Sequence, residues 1–251
     1  MKEKLRMDEE KLLFILVYQK TYPLQTMHRL QFGLSQSQTN EWIHCLMPVV
    51  RDCMAEMGKT PEQDPQAFTN NPLVKENQPD LLIYGTERRR QRPKDAKKQE
   101  EHYSGKKKAH KVVYLSPTEC GNKHDKKIVG ENNIVYPQCA TLGKDTGFQG
   151  YERKGVITFQ PEKKPKGKEL SATDKWMNRI ISGMRVLVEN TISGVKRCRI
   201  VKDIFRNTKQ GFSDLAMEVA CALHNLRTNW CHPVAIVVAP LLQLSTCTYY
   251  R

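Results

Sequence analysis

A chain of 251 residues with a net charge of +14 and a sequence pI near 9.4 has room for one substantial core plus a small extra domain, and its surplus of Lys and Arg favours a polyanionic partner, nucleic acid before an anionic membrane. No stretch reaches the roughly 18 to 20 apolar residues of a membrane-spanning helix, and no basic-then-apolar signal layout opens the chain, so a cytoplasmic protein is expected. The eight cysteines form no C-x-x-C pair, which favours reduced thiols, and Cys221, His224, Cys231 and His232 lack structural-zinc spacing.

The first sixty residues read as three helices. The first follows the acidic start Asp8, Glu9, Glu10 and carries apolar positions at Leu12, Leu13, Ile15 and Leu16. Pro23 opens a second helix that passes through Met27 and Leu30 to Gly33, a residue suited to the positive φ of a tight turn. Ser35 with Gln38 three residues on has the form of a capping box, opening a third helix with Trp42, Ile43, Leu46 and Val49 inward. Gln36, Ser37, Gln38 and Asn40 are left outside. Two helices joined by a glycine-containing turn, the second led by amide and hydroxyl side chains, match a helix-turn-helix, whose side chains read base edges in a major groove; an ordinary three-helix scaffold is the alternative.

Residues 58–77, rich in Pro, Asn, Gln and Asp without periodicity, read as a linker. A strand at Leu81–Tyr84 ends in Gly85-Thr86 and runs into a strongly basic stretch containing Arg88, Arg89, Arg90, Arg92, Lys106, Lys107 and Lys108. Such a run is either a solvated arm or, coming directly after a strand end, a ligand-facing loop. Further strands are expected at 111–116, 140–142 and 156–159, the third segment ending in Lys144-Asp145-Thr146-Gly147-Phe148. Helices are expected at 173–195 and 214–227, which makes the larger part of the chain an α/β domain.

The long helix carries the most specific signal. Arg185, Glu189 and Lys196 stand four and seven residues apart, along one face of a helix, with Ile181, Met184, Val188 and Val195 as the apolar stripe beside them. A salt-bridged surface face explains the triplet equally well on its own. Two-metal phosphodiester chemistry, however, needs carboxylates that converge on a pair of divalent ions, and Asp145 with Glu189 supply two of them, with Arg185 and Lys196 placed to hold phosphates.

The segments Tyr84-Gly85-Thr86-Glu87-Arg88-Arg89-Arg90-Gln91-Arg92-Pro93, His124-Asp125-Lys126, Lys144 to Tyr151, and Val188-Glu189 with Lys196-Arg197-Cys198-Arg199 resemble, in that order, the bacterial insertion-sequence DDE transposases with an N-terminal helix-turn-helix. The resemblance runs from about residue 10 to residue 228. It implies a ribonuclease H-like α/β fold with a mixed sheet, two Mg²⁺ ions, and cleavage and joining of double-stranded DNA at terminal inverted repeats and a target, by a nucleoid-associated protein that could act as a homodimer. The implied organisation is a helix-turn-helix domain at 1–60, a linker at 61–78, a catalytic domain at 79–228 and an unrelated extension at 229–251, of the kind a shifted reading frame leaves. It further implies Asp145 and Glu189 as metal ligands, and Arg197 and Arg199 beside Lys196 as DNA-binding residues. Of the family's pattern Y-x2-R-x3-E-x6-K, the chain keeps Arg185, Glu189 and Lys196 and has Ser182 in place of the tyrosine.

Three departures stand against an intact enzyme. The family's first metal-binding aspartate precedes Gly-Thr, and Tyr84 occupies that place; a phenol with pKa near 10 is a poor magnesium ligand. Asp80 lies roughly 13 Å away at strand rise and cannot substitute. Between Tyr103 and Pro117 there is room for about one strand where the fold calls for more, so a hairpin-sized segment is expected to be missing. The text after Arg227 is the third departure. A transposase copy impaired in catalysis is therefore expected, the alternative being a non-catalytic DNA-binding regulator of related elements.

Overall fold

The computed structural model describes residues 5, 7–70, 74, 80–83, 112–118, 125–138, 140–144, 146–162, 164, 167 and 169–231, by backbone alone at 80, 125, 146, 184–189 and 229–231. Three helices open the chain: α1 (Asp8–Thr21), α2 (Gln25–Phe32) and α3 (Gln36–Glu56). The carboxylates Asp8, Glu9 and Glu10 sit in the first turn of α1, where they meet the positive end of the helix dipole, and Lys20 sits in the last. Gly33 at φ 64° turns the chain out of α2, a conformation that glycine adopts without strain. The capping box at α3 is formed as expected: Ser35 Oγ accepts from the Gln38 N–H at 3.2 Å and Gln38 Oε1 accepts from the Ser35 N–H at 3.0 Å.

The inward faces differ in part from the expectation. Of the residues expected inward on α3, Ile43 and Leu46 are buried, Trp42 is half-buried and Val49 is 49% exposed, while on α1 Ile15 is buried but Leu12 and Leu13 are 50% and 56% exposed. The buried face of α1 is Phe14, Ile15, Tyr18 and Gln19, and the buried residue of α2 is His28. The reason is a partner remote in sequence. Two C-terminal helices, α6 (Arg199–Lys202) and α7 (Phe212–Cys231), pack onto the N-terminal three, α1 against α6 and α3 against α7. One apolar core runs through all of them, joining Phe14, Tyr18, Ile43 and Met47 to Ile200, Phe205, Phe212 and Ala220. Each large side chain fully buried there contributes about 1.5–3 kcal/mol. Polar ties lock the same junction: Gln19 Nε2 donates to the Ala216 carbonyl at 3.0 Å, and Arg206 donates to the Tyr22 and Pro23 carbonyls with its guanidinium 4.1 Å from the Tyr22 ring centroid.

The rest is a small α/β unit. Strands β1 (Asp80–Ile83), β2 (Thr141–Lys144) and β3 (Ile157–Phe159) form a sheet in the order β1-β2-β3, with both pairings parallel. No antiparallel pair stands among the described residues, so the described sheet is parallel rather than mixed. Helix α4 (Asp125–Glu131) packs against the 3-10 turn Thr146–Phe148, and a second core gathers Val129, Leu142, Phe148 and Tyr151 beneath Leu81 and Ile83. The expected strand at 111–116 is not one: its described residues make a single bridge, Tyr114 with Glu62, through the Glu62 N–H to the Val113 carbonyl and the Leu115 N–H to the Glu62 carbonyl. That bridge ties the stretch after α3 down, and Phe68 is buried against Tyr114 and Tyr136. The long helix α5 (Ala172–Val195) starts at the N-cap Ser171, whose Oγ accepts from the Asp174 N–H, and it packs on α7. There Gly194 lets His224 come so close that a Cβ would lie 2.4 Å from its Nδ1.

Candidate functional site: the strand-end edge and the helix that follows

The parallel register pairs Ile83 of β1 with Lys144 of β2. These are the residues immediately before Tyr84 and Asp145, so the two strands deliver the chain to one edge of the sheet at their C-terminal ends, the edge where ligands meet open α/β sheets. Close packing explains the central strand: a Cβ on Gly143 would stand 2.4 Å from Leu82 and 2.7 Å from Phe159, so glycine lets β1 and β3 side chains close over β2.

The stretch after β2 is folded back on itself. Lys144 is 3% exposed, and its ammonium donates to the Tyr151 carbonyl. Burial pulls that ammonium below the usual lysine range, with Glu152 opposing the shift and Lys126 adding to it. Phe148 plugs the second core, and Gly150, at φ 76°, leaves room for the Lys126 amine. The Tyr151 hydroxyl accepts from Arg153 Nε at 3.0 Å and lies 3.5 Å from the Tyr136 hydroxyl, whose own ionisation burial pushes up. The buried Lys144 tie to the Tyr151 carbonyl thus closes the described part of this motif back onto the end of β2. Lys144 and Tyr151 have no assigned role in the sequence reading; a lysine directly before the carboxylate, with an aromatic after two glycines, was the signal for them.

Of the expected catalytic residues, Tyr84 and Asp145 lie outside the described residues, as do the side chains of Arg185 and Glu189. The backbone of 185 and 189 is helical within α5. Lys196 follows directly as the C-cap of α5, half-buried, its N–H on the Ile192 carbonyl at 2.7 Å. Among the described residues no three His, Cys, Asp or Glu stand together as a metal site. The donor set that the resemblance implies is itself short for a pair of magnesium ions: Tyr84, Asp145 and Glu189 offer two carboxylates where it calls for three, and so do not fit the pair.

The expected DNA-binding residues divide. Gln36, Ser37 and Asn40 are exposed at the start of α3, while Gln38 is half-buried and used in the capping box. Gln25 links the exposed amides, accepting from Gln36 Nε2 at 2.9 Å and donating to Asn40 Oδ1 at 3.2 Å. Arg197 and Arg199 are exposed, the latter paired with Asp203 at 2.9 Å. Arg88, Arg89, Arg90, Arg92, Lys106, Lys107 and Lys108 lie outside the described residues. No helix among the described residues is long and apolar enough to cross a membrane.

A family model described as DDE superfamily endonuclease matches residues 83–225, from the last residue of β1 into α7. The chain is 24% identical over 217 residues to the probable transposase for insertion sequence element IS702 of Microchaete diplosiphon, covering 81% of this chain and 75% of that protein. No solved structure matches it.

Proposed function

From the premise that this chain belongs to the DDE superfamily endonucleases, we propose that it is an insertion-element transposase by descent that still binds double-stranded DNA and is impaired in cutting it. The observation that carries the proposal is the residue at the first ligand position. The match begins at Ile83, and Tyr84 follows it where the resemblance in sequence implies a carboxylate. The relative named as a probable transposase for an insertion sequence element supports the mobile-element origin.

In the intact pattern, Mg²⁺ would activate the attacking oxygen and stabilise the leaving one. Tyr84 removes an anionic oxygen from that set, because a phenol stays protonated at neutral pH. DNA contact rests on other groups. Gln36, Ser37 and Asn40 project from the start of the second helix of the helix-turn-helix reading, at residues 1–60, and the arginines and lysines of 88–108 supply counter-charge for phosphates. The same properties fit a regulator that occupies element ends without cutting them, which Tyr84 favours.

The test is a nicking assay on supercoiled plasmid carrying the terminal inverted repeats of a related insertion element, with Mg²⁺ or Mn²⁺. The unmodified chain is expected to bind these ends in a salt-sensitive way and leave the plasmid intact, with Tyr84→Asp gaining measurable nicking. Efficient nicking by the unmodified chain would sink the impairment.

A further inference from the structure

The packing of α1 on α6 brings together basic side chains that are far apart in sequence. Lys20 is in the last turn of α1, exposed, and close enough to Cys198 for its charge to act on that thiol. Arg197, Arg199 and Lys202 are exposed around the short α6, and Lys202 and Arg206 line one shallow hollow. Lys209 is exposed just before α7, and its charge reaches His44 on α3. His44 is four residues beyond Asn40, which is four beyond Gln36, so these three share one face of α3. Lys209 therefore stands where that polar stripe ends.

The balance of charge on this surface is one-sided. Among the described residues Asp203 is already paired with Arg199, and Glu41, exposed one residue beyond Asn40, sets one further carboxylate against the cations. Lys20, Arg197, Lys202 and Lys209 make no ion pair among the described residues. Four exposed cations held on a hydrogen-bonded helical junction, beside amides that can meet base edges, fit a regularly spaced polyanion better than an isolated carboxylate.

We propose that Lys20, Arg197, Lys202 and Lys209 form a phosphate-contacting ridge for duplex DNA that joins the start of α3 to the segment after the long helix. The proposal rests on the DNA-binding reading above and extends it. A duplex on the ridge is gripped at once by the N-terminal helices and by the chain that leaves α5 seven residues after Glu189. Because Arg206 and Gln19 lock α1 to the turn after α6 and to α7, the two halves of the ridge keep a fixed separation.

The experiment compares full-length variants binding a fluorescent random-sequence duplex, by anisotropy across a salt series. Wild-type chain is expected to bind with a steep salt slope. The combined variant Lys20→Gln, Lys202→Gln, Lys209→Gln should lower that slope by about 2 to 3, at about 0.9 per lost phosphate contact, and weaken binding tenfold or more at moderate salt. Replacing the same three with Arg should leave both unchanged, which separates lost charge from lost fold. A control that removes three charges already paired with carboxylates, Lys11→Gln, Lys127→Gln, Lys175→Gln, should keep the wild-type slope. Wild-type binding with an equal slope in the first variant would overturn the ridge and leave the DNA-binding reading standing. Absence of duplex binding by wild type, with attachment to phosphatidylglycerol vesicles instead, would overturn both.

Discussion

The helical body and the small sheet differ in how they are held. The body draws on five helices and buries aromatic and aliphatic side chains from both ends of the chain in one core, with Phe14, Ile43, Ile200 and Ala216 fully enclosed. The sheet has three short strands, and its core holds four buried residues, Val129, Leu142, Phe148 and Tyr151. The larger core and the strand-end edge are thereby separate. The part that carries the start of α3, proposed above to meet DNA, is the thicker one, while the edge where the chain runs on to Tyr84 and Asp145 rests on the thinner. A copy that loses catalytic competence can keep the body because the two cores share no residue.

The largest effect is expected from emptying the body. Phe14 is fully buried and touches His28 and Phe32, with ring centroids 4.3 and 5.1 Å away. Phe14→Ala should cost about 3–5 kcal/mol, read as a shifted midpoint in urea denaturation, and should weaken duplex binding as the head loosens. A loss under about 1 kcal/mol would show that the shared core is not what holds the N-terminal helices.

A smaller change should separate the two regions. Gly143→Val drives a branched side chain into Leu82 and Phe159, an overpacking that costs about 1–3 kcal/mol. Amide hydrogen exchange should accelerate in β1, β2 and β3 and stay unchanged in α3 and α7. Equal acceleration everywhere would mean that the molecule opens as one unit and that the division above is wrong.

These two regions were also unequally legible in the amino-acid sequence. Local signals survived: the Ser35 and Gln38 capping box, the Gly33 turn and the starts of β2 and α5 all depend on neighbours within a few residues. Faces set by distant partners did not. Leu12 and Leu13 look inward on a three-helix reading, but Tyr18 and Gln19 take that side because α6 and α7, some 180 residues on, supply the opposing surface. The strand expected at 111–116 had suitable residues, yet its described backbone is bonded to Glu62 rather than to the sheet. For the site, Tyr84, Asp145 and Glu189 are named by motif alone, whereas the Ile83 and Lys144 register and the buried Lys144 tie to Tyr151 are tertiary facts that no motif spells out.

The smallest effect concerns pH and the body alone. His28 is fully enclosed between Phe14, Tyr18 and Phe32, a cage that gives its ring no acidic partner to hold a proton. Burial lowers its pKa, with a weaker opposing pull from the Phe14 backbone. A histidine depressed on folding stays neutral in the native state while the unfolded chain takes up a proton below its ordinary value near 6.5. Its contribution is therefore complete above about pH 6.5 and is lost as pH falls below it, by at most about 1.4 kcal/mol per pH unit. His28→Phe fits the aromatic cage and removes the titration, so urea midpoints measured from pH 7.5 to 5 should fall less steeply in the variant. His44, also depressed by burial and by the Lys209 charge, leaves a residual slope in both proteins. Identical slopes would mean that water or a shifted ring reaches the His28 imidazole, and the body would then be less tightly closed than its core implies.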